Sequence, residues 1–205
     1  MEKLCVIFCA GELFAPRKKF GKDDLIIAAD GGYNAVASLG IEPNVIIGDF
    51  DSSEQPVNTA AHVVKLNRDK DDTDMLAAVK LGLRRGCRKF VIYGGTGGRL
   101  DHTAANFATL AYLNAYDAQG FLVDRDSVST VITDGKFALP KTARGTVSVF
   151  AYGGAASGVC LKNLSYELDN AELDPAYPLG VSNATTDKPA VVSVKHGSLL
   201  IFFPR

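Results

Sequence analysis

Two aspartates that follow a short apolar segment are the first residues whose types and spacing could support chemistry. The apolar residues 45–47 run into Gly48, and Asp49 and Asp51 come next with Phe50 between them. Such a run, ended by Gly and Asp, is typical of a buried strand whose carboxyl end faces water. Because side chains alternate along extended backbone, the two carboxylates should leave the chain on the same side. They would repel each other unless a cation lies between them, and Mg²⁺ prefers oxygen ligands. A turn with two solvated aspartates is the alternative.

Acidic residues also follow the other predicted strands of the first half. Apolar segments at 4–9, 25–29, 45–47, 62–66 and 90–93 are of the buried, parallel-sheet kind. Since parallel strands end at one edge of a sheet, where open α/β folds bind ligands, the loops after them should share one crevice. The acids in these loops are Asp30, Asp49, Asp51, Asp69, Asp71, Asp72, Asp74 and Asp101. Helix capping is the alternative for those that precede a helix.

A glycine cluster at 94–98 leads into the next predicted helix, with Thr96 inside it and Arg99 and His102 after it. The cluster has neither the ending of a Walker motif nor the dinucleotide fingerprint. It still places backbone N–H groups at a helix N-terminus, which suits phosphate, and Arg99 can pair with phosphate oxygens through two bonds. Together with the acidic loops, the cluster predicts a Mg²⁺–polyphosphate site. His102 either contacts the ligand there or is solvated.

The order of the elements predicts the fold class. Strands alternate with helices up to about residue 123, which indicates an α/β fold with a parallel, doubly wound sheet. The remainder consists of short strands broken by turn residues, which indicates a smaller all-β sandwich or barrel. Within it, segments 191–195 and 199–203 flank His196-Gly197-Ser198, a pattern that predicts a hairpin. We therefore expect two domains, residues 1–124 and 125–205.

Composition excludes several classes of protein. The chain has 205 residues and a formal net charge of −1, so no basic surface indicates nucleic acid and no basic amphipathic face indicates a membrane. No apolar run approaches the roughly 18 residues that span a bilayer. The four cysteines are scattered without metal-ligand spacing, which favours reduced thiols and a cytoplasmic protein.

Taken together, these motifs resemble the thiamine pyrophosphokinase family. The resemblance rests on residues 29–32 (ADGG), 48–52 (GDFDS), 69–74 (DKDDTD) and 94–102 (GGTGGRLDH), in that order, and more loosely on 180–183 (GVSN). It implies an α/β nucleotide- and metal-binding catalytic half and a β-rich thiamine-binding half. It also implies that the terminal pyrophosphate of ATP passes in one piece to the hydroxyl of thiamine, giving thiamine diphosphate and AMP.

The same resemblance implies roles for individual residues, Mg²⁺ as cofactor, ATP as co-substrate, and a homodimer whose substrate site lies at the subunit interface. The implied catalytic residues are Asp49, Asp51, Asp74 and Asp101, of which the first three would bind Mg²⁺. The implied nucleotide- and phosphate-binding residues are Asp30, Lys70, Asp71, Thr96, Gly97, Arg99 and His102, and the thiamine-binding residues are Ser182 and Asn183. Eukaryotic members use a tryptophan near thiamine, whereas this chain has none; Tyr152, Tyr166 and Tyr177 are the candidate aromatic surfaces.

The chemistry expected from the residues agrees with this resemblance. Attack at the β-phosphorus builds negative charge that a metal ion and Arg99 would stabilise. A nearby carboxylate, Asp101 or Asp74, could take the proton of the alcohol late in a loose transition state. A metal-dependent nucleotide phosphohydrolase and a non-catalytic nucleotide- or thiamine-sensing module are the competing hypotheses. A related pyrophosphokinase that acts on a pterin alcohol could share the first half.

Overall fold

The computed structural model describes residues 3–17, 19–50, 59–67 and 71–205. Two of the predicted site residues, Asp51 and Lys70, lie outside the described residues. The chain divides into two compact units, residues 1–124 and 125–205. The prediction of an α/β first part followed by an all-β second part is confirmed.

The described part of the first unit contains six strands that pair with one another in parallel. They are β1 (Leu4–Phe8), β2 (Leu25–Ala29), β3 (Val45–Gly48), β4 (His62–Lys65), β5 (Lys89–Tyr93) and β6 (Gln119–Val123). Their spatial order is β4-β3-β2-β1-β5-β6, with β1 in a central position between β2 and β5. The central strands are almost fully buried, which explains why they are continuous apolar runs rather than alternating ones. All six strands end at the same edge of this unit, and that edge positions the candidate site.

The helices found between these strands, in the residues that the structure describes, are α1 (Gly32–Ser38), α2 (Asp74–Arg84) and α3 (Leu100–Asn114). Helix α1 packs on β1 and β2, α2 packs on β1, β2 and β3, and α3 packs on β6 and α2. Helix α2 approaches the sheet closely because Gly82 lacks a side chain; a Cβ there would lie 2.5 Å from the ring of Phe90 and 2.9 Å from Sγ of Cys5. The side chain of Thr73 caps α2 by accepting a hydrogen bond from the N–H of Leu76 at 3.2 Å.

The second unit consists of strands that pair only in antiparallel fashion. They are β7 (Ser127–Thr133), β8 (Lys136–Ala138), β9 (Thr146–Lys162), β10 (Leu168–Leu173), β11 (Asn183–Ala184), β12 (Val191–Ser193) and β13 (His196–Pro204). The 17-residue strand β9 is the organising element, because it pairs with β10, β11, β12 and β13.

The predicted hairpin around Gly197 is wrong. Strand β12 pairs with residues 160–162 of β9, and β13 then pairs with residues 148–157 of the same strand. The two strands therefore run in one direction along successive parts of β9, and the chain does not reverse between them. The register shifts between His196 and Ser198, and Gly197 has a φ of +101°. The turn-like residues mark an irregularity of the bulge type, which uses the same glycine conformations as a tight turn.

In the part of the chain that the structure describes, no helix is long and apolar enough to cross a membrane.

Candidate functional site

A cavity of about 390 Å³ lies at the carboxyl edge of the parallel sheet in the first unit. Its walls come from the ends of strands β1, β2, β3 and β5, from the first turn of helix α2 and from the first two turns of helix α3. The lining residues are Cys9, Ala10, Gly11, Ala29, Asp30, Asp49, Thr73, Asp74, Met75, Gly94, Gly95, Thr96, Gly98, Arg99, His102, Thr103 and Asn106. Of the predicted site residues, the cavity brings together Asp30, Asp49, Asp74, Thr96, Arg99 and His102.

Asp30 occupies the tight turn between β2 and α1. Its φ is +48°, a left-handed conformation that Asp tolerates better than most residues. Its N–H donates to the carbonyl of Ile47 at 2.7 Å, and a Cβ on Gly48 would lie 3.1 Å from the Asp30 Cα, so the two loops pass very close together. The Oδ1 atom of Asp30 is buried and makes no hydrogen bond to any residue that the structure describes. A buried carboxylate oxygen in that state favours a ligand that supplies a donor or a cation.

Asp49 and Asp74 bring two more carboxylates to the same cavity. Asp49 directly follows β3, and Asp74 is the first residue of α2, just after the capping Thr73; both aspartates are half-buried. The thiol of Cys9 responds to this charge: burial, followed by repulsion from Asp74 and Asp30, raises its pKa to about 12. The part of the cavity lined by Asp30, Asp49 and Asp74 therefore suits a cation.

The other acids near α2 have different positions. Asp72 forms a two-point ion pair with Nζ of Lys80, with Lys80 Nζ 2.6 Å from Oδ1 and 2.7 Å from Oδ2. Asp71 is exposed and, among the described residues, does not line the cavity. The side chain of Thr73 supplies the N-cap of α2, and Asp74 is the acid in its first turn, where a carboxylate favours the helix dipole. Only Asp74 of this group contributes to the cavity wall.

The glycine cluster forms a loop, residues 94–98, that is held from two sides. The N–H of Gly11 donates to the carbonyl of Gly94, and the N–H of Glu12 donates to the carbonyl of Thr96, both at 2.8 Å. On the opposite side, Asn106 Nδ2 donates to the carbonyl of Gly95 at 2.7 Å. Oγ1 of Thr96 is buried and has no hydrogen-bond partner within the described ranges. Oγ1 of Thr96 and Oδ1 of Asp30 are therefore two buried polar atoms of cavity-lining residues that have no partner in the described part of the chain.

Gly97, which is predicted to contact phosphate, lies in this loop close to Glu12. Its φ is +76°, and a Cβ there would lie 2.4 Å from the Cβ of Glu12. Gly97 is one of the residues that the structure describes, but it does not line the cavity. The glycine at this position is required for the turn and the close approach of the loop to residue 12.

Arg99 and Asp101 form a two-point ion pair at the start of α3. Arg99 Nη2 lies 2.6 Å from Asp101 Oδ2, and Arg99 Nε lies 3.2 Å from Oδ1. This hydrogen bonding holds the pKa of Asp101 below its usual range and raises the pKa of Arg99. Arg99 lines the cavity, whereas the exposed Asp101, although described, does not. The structure thus places the predicted fourth acid beside the arginine rather than on the cavity wall.

The cavity suits a hard divalent cation in the nature of its donors. Mg²⁺ is commonly bound by one or two carboxylates together with water and substrate phosphates. Asp49 and Asp74 supply two carboxylates, and Asp30, whose buried Oδ1 has no partner among the described residues, lines the same cavity. Within the described ranges, no three potential ligands form a group close enough to hold a metal by themselves. The donor set therefore fits an ion that a phosphate ligand helps to hold, with Asp51 outside the described residues.

In the second unit, Ser182 and Asn183 have contrasting environments. The side chain of Asn183 is buried; its Oδ1 accepts from the N–H groups of Tyr166 and Ala184 at 3.0 and 2.8 Å, and its Nδ2 donates to the carbonyl of Tyr166 at 2.6 Å. Ser182 is exposed, has a φ of +59°, and donates its backbone N–H to Oγ of Ser148 at 3.1 Å. The side chain of Asn183 therefore connects this segment to Tyr166, whereas Ser182 is accessible to solvent.

Four polar residues of the cavity wall were not predicted as site residues: Cys9, Thr73, Thr103 and Asn106. Helical spacing could have identified two of them, because positions 99, 102, 103 and 106 recur on one face of a helix. Cys9 could have been identified from its position directly after β1, at the same edge as the acidic loops.

Cavity and fold define an α/β unit with a ligand site at its carboxyl edge, followed in the chain by an all-β unit. Family models agree with both units: "Thiamin pyrophosphokinase, catalytic domain" matches residues 17–121, and "Thiamin pyrophosphokinase, vitamin B1 binding domain" matches residues 136–199. The chain belongs to the thiamin pyrophosphokinase family.

Individual relatives give the same result. Thiamin pyrophosphokinase 1 of Caenorhabditis elegans is 28% identical over 194 residues, covering 86% of this chain and 76% of the relative. Thiamine pyrophosphokinase of Bacillus subtilis is 26% identical over 183 residues, covering 86% of each chain. The crystal structure of the B. subtilis protein superposes with a TM-score of 0.88 at 24% identity over 98% of this chain and 99% of that one. That of thiamin pyrophosphokinase from Geobacillus thermodenitrificans gives 0.85 at 26% identity over 98% and 97%.

Proposed function

We propose that this member of the family transfers pyrophosphate from ATP to the hydroxyl of thiamine, with Mg²⁺, and releases thiamine diphosphate and AMP. One observation carries the proposal: Asp30 and Thr96 line one cavity with Asp49, Asp74 and Arg99, and each has a buried polar atom, Oδ1 and Oγ1 respectively, without a partner among the described residues. A polyphosphate with its metal ion would satisfy all of these groups at once, because it presents both oxygens and positive charge.

The nucleotide phosphates would bind at the glycine loop. Thr96 offers a hydroxyl, Arg99 offers a guanidinium, and the loop precedes the N-terminus of α3, where the helix dipole favours anions. His102 lies on the same helical face as Arg99 and would contact the ligand as well. Lys70 and Asp71 would also contact the nucleotide phosphates, a role that rests on the family motif. Gly97 would contribute by allowing the conformation of the loop.

Mg²⁺ would be held by Asp49 and Asp74, with Asp51 as the third ligand by family motif. When bound, the ion would neutralise charge on the phosphate oxygens and polarise the phosphorus toward attack. The chain's own contribution would be to fix these carboxylates at strand and helix ends and to keep the cavity negative. Asp30 would orient the metal–nucleotide complex from the β2–α1 turn.

The proton of the thiamine hydroxyl requires an acceptor late in the reaction, and Asp101 and Asp74 are the two candidates. Binding of phosphate to Arg99 would release Asp101 from its ion pair, which would raise the pKa of Asp101 toward its usual range and make it a better base. Asp74 is a weaker candidate because metal coordination lowers the basicity of a carboxylate.

Thiamine would be bound by the second unit, residues 125–205, and the nucleotide by the first, residues 1–124. Ser182 is the exposed member of the GVSN motif, and Tyr166 and Tyr177 are 73% and 68% exposed, so each could offer an aromatic surface. Tyr152 is the third candidate. We also propose a homodimer in which the first unit of one subunit and the second unit of its partner share the substrate site. Exposed apolar side chains at Leu179 and Val181 support an interface on this unit.

Mixing two impaired proteins at a thiamine concentration below the KM of the Ser182→Ala protein tests the shared site. Asp74→Asn and Ser182→Ala proteins, each impaired alone, should regain part of the activity when they are mixed and allowed to exchange. Absence of recovery after verified exchange would contradict a site built from two subunits.

Two finer features of the architecture are part of the proposal. The strand order with right-handed crossovers would place α1 on one face of the sheet and α2 and α3 on the other, a doubly wound arrangement. In the second unit, β9 has glycines with positive φ at Gly153, within its pairing with β13, and at Gly158, within its pairing with β10, which supports a bent strand shared by two layers of a sandwich. The four free cysteines support a reducing, cytoplasmic location.

Product analysis tests the function directly. The purified protein is incubated with ATP, Mg²⁺ and thiamine, and we expect AMP and thiamine diphosphate in equal amounts. A parallel reaction without thiamine should yield neither AMP nor pyrophosphate. Formation of ADP would indicate ordinary phosphoryl transfer, and turnover that does not need thiamine would indicate a phosphohydrolase; either result would overturn the proposal.

A further inference from the structure

Asn106 joins helix α3 to the glycine loop through a buried hydrogen bond. The side chain is 7% exposed, it lines the cavity, and its Nδ2 donates to the carbonyl of Gly95 at 2.7 Å. We propose that Asn106 is a positioning residue that fixes the glycine loop against α3, so that Thr96 and Arg99 face the same phosphate-bearing ligand. This inference rests on the proposed function for the identity of that ligand.

The spacing along α3 places Asn106 at the inner end of a ligand-facing stripe. Arg99, His102, Thr103 and Asn106 follow one another at helical intervals, and all four line the cavity. The outer members can reach a ligand, whereas the amide of Asn106 is engaged with the loop. Asn106 therefore sets the separation between the helix that carries Arg99 and the loop that carries Thr96.

The loop carbonyl that Asn106 holds has little room to move. A Cβ on Gly95 would lie 2.4 Å from Cδ1 of Leu122 and 3.3 Å from Nδ2 of Asn106, so this backbone is packed between β6 and α3. The carbonyls of Gly94 and Thr96 accept hydrogen bonds from backbone N–H groups of the segment after β1. The carbonyl of Gly95 lies between them, and its hydrogen bond among the described residues comes from Asn106 on α3. Without Asn106, the centre of the loop would lose its attachment to the helix.

Loss of the amide donor would affect the loop more than the fold. The Gly95 carbonyl would remain buried without a partner, which is costly, and the loop would shift toward water or a new donor. Gly94 and Gly97 have φ values of +68° and +76°, conformations that glycine leaves easily. A shift of this loop would move the Thr96 hydroxyl relative to Arg99, and misplacement of about 1 Å can reduce the rate of an enzymatic reaction about 100-fold.

The test variant is Asn106→Asp, which keeps the shape of the side chain and replaces the donor by an oxygen that repels the Gly95 carbonyl. The matched control is Asn114→Asp on the same helix, because Asn114 Nδ2 donates to the carbonyl of Leu110 at 3.1 Å and Asn114 is not among the described cavity residues. Three quantities are measured for each protein: hydrogen exchange of the peptide that contains residues 94–98, the Kd of a non-hydrolysable ATP analogue with Mg²⁺, and the KM values for ATP and thiamine.

We expect Asn106→Asp to accelerate exchange in the loop and to raise the analogue Kd and the KM for ATP about tenfold or more, with the KM for thiamine changed less than twofold. The control should change none of these. A folded Asn106→Asp protein with a protected loop and an unchanged Kd would overturn the proposal, as would equal increases in both KM values. If Asn106→Asp does not fold, Asn106→Ser is measured against the same outcomes, and failure of both to fold would show a role in the fold alone and overturn the proposal.

These readouts separate this inference from the proposed function. Hydrogen exchange reports the attachment of the loop whether or not the protein turns over. Wild-type protein that binds the analogue but makes no thiamine diphosphate would contradict the proposed function and leave the exchange and Kd comparison decisive for Asn106.

Discussion

Arg99 and Asp101 are each other's partner at the N-terminus of α3, joined by contacts of 2.6 Å between Nη2 and Oδ2 and 3.2 Å between Nε and Oδ1. A phosphate that binds the guanidinium of Arg99 would compete with Asp101 for it. Binding of an anion at the cavity and the ionisation of Asp101 are therefore linked, since the same arginine stabilises both negative groups.

Removal of the arginine should change the titration of Asp101. Because hydrogen bonding to Arg99 lowers the pKa of Asp101, Arg99→Gln should raise that pKa toward the usual range. The sign for stability follows: a carboxyl whose pKa is lowered by folding stabilises the protein above its unfolded pKa, and this contribution is lost as the pH falls through the folded value, below about pH 4. NMR of the side-chain carboxyl carbon measures the titration of Asp101 in the wild type and in Arg99→Gln.

The control for this titration is Asp169 in the second unit. Its pKa is lowered chiefly by Lys162, whose Nζ lies 3.1 Å from Oδ1 of Asp169, so Arg99→Gln should leave it unchanged. An Asp101 titration that is the same with and without Arg99 would contradict the assignment of the ion pair.

Two neighbouring aspartates of the α2 region should differ in their effect on activity. Asp74→Asn should reduce the rate of pyrophosphate transfer about 100-fold or more and raise the Mg²⁺ concentration needed for half-maximal rate, because it removes a proposed metal ligand. Asp72→Asn should leave both quantities near the wild-type values, because Asp72 is bound to Lys80. The lost ion pair should cost about 0–1 kcal/mol of unfolding free energy. Equal losses of activity in the two variants would refute the distinction.

Substitutions at Asp30 should separate charge from backbone conformation. Asp30→Asn keeps a residue type that tolerates a φ of +48°, and Oδ1 has no partner among the described residues, so the melting temperature should be unchanged or higher while the rate falls about tenfold or more. Asp30→Ala should lose the same activity and, in addition, about 1 kcal/mol of unfolding free energy from backbone strain. Thermal unfolding and steady-state kinetics of both proteins check this. Full activity in Asp30→Asn would remove Asp30 from the site.

The thiol of Cys9 should remain protonated at every pH at which the enzyme works. Its pKa of about 12 results from burial and from Asp74 and Asp30, so Asp74→Asn should lower it. Because folding raises this pKa, stability from the protonated thiol is complete below the unfolded pKa of about 8.5 and is lost as the pH rises toward the folded value. Iodoacetamide at about pH 8 should alkylate the partly exposed Cys160 and leave Cys9 unmodified. Rapid alkylation of Cys9 in folded protein would contradict the burial of this thiol.

The two polar residues of the GVSN motif should have separable roles. Asn183→Ala removes a buried amide with three hydrogen bonds and should cost about 1–3 kcal/mol of unfolding free energy. Ser182→Ala should change stability by less than about 0.5 kcal/mol, because Ser182 is exposed, and should raise the KM for thiamine without changing that for ATP. Chemical denaturation and substrate-specific kinetics distinguish the two. A normal KM for thiamine in Ser182→Ala would exclude a direct contact.

Much of the candidate site could be predicted from the sequence. Asp30, Asp49, Asp74 and Arg99 come from four separate segments, yet their meeting at one cavity followed from a single rule: parallel strands end at a common edge. The rule needs only the order of elements and the apolar runs, both of which are local properties of the sequence. Individual partners were beyond its reach, as with Asp72, which pairs with Lys80, and Gly97, which packs against Glu12.

By itself, the sequence determined the alternation of strands and helices, the acidic residues at the strand ends, the change to an all-β second part and the family motifs. These features depend on hydrophobic periodicity and on spacing along the chain, which need no knowledge of distant contacts. Only the tertiary structure decided that Asp101 pairs with Arg99 and that Asn106 donates to the carbonyl of Gly95. It also decided that β12 and β13 pair with successive parts of β9 instead of forming a hairpin with each other. Such choices depend on side-chain direction and on which elements lie side by side, and several pairings of similar local energy are compatible with the same local pattern.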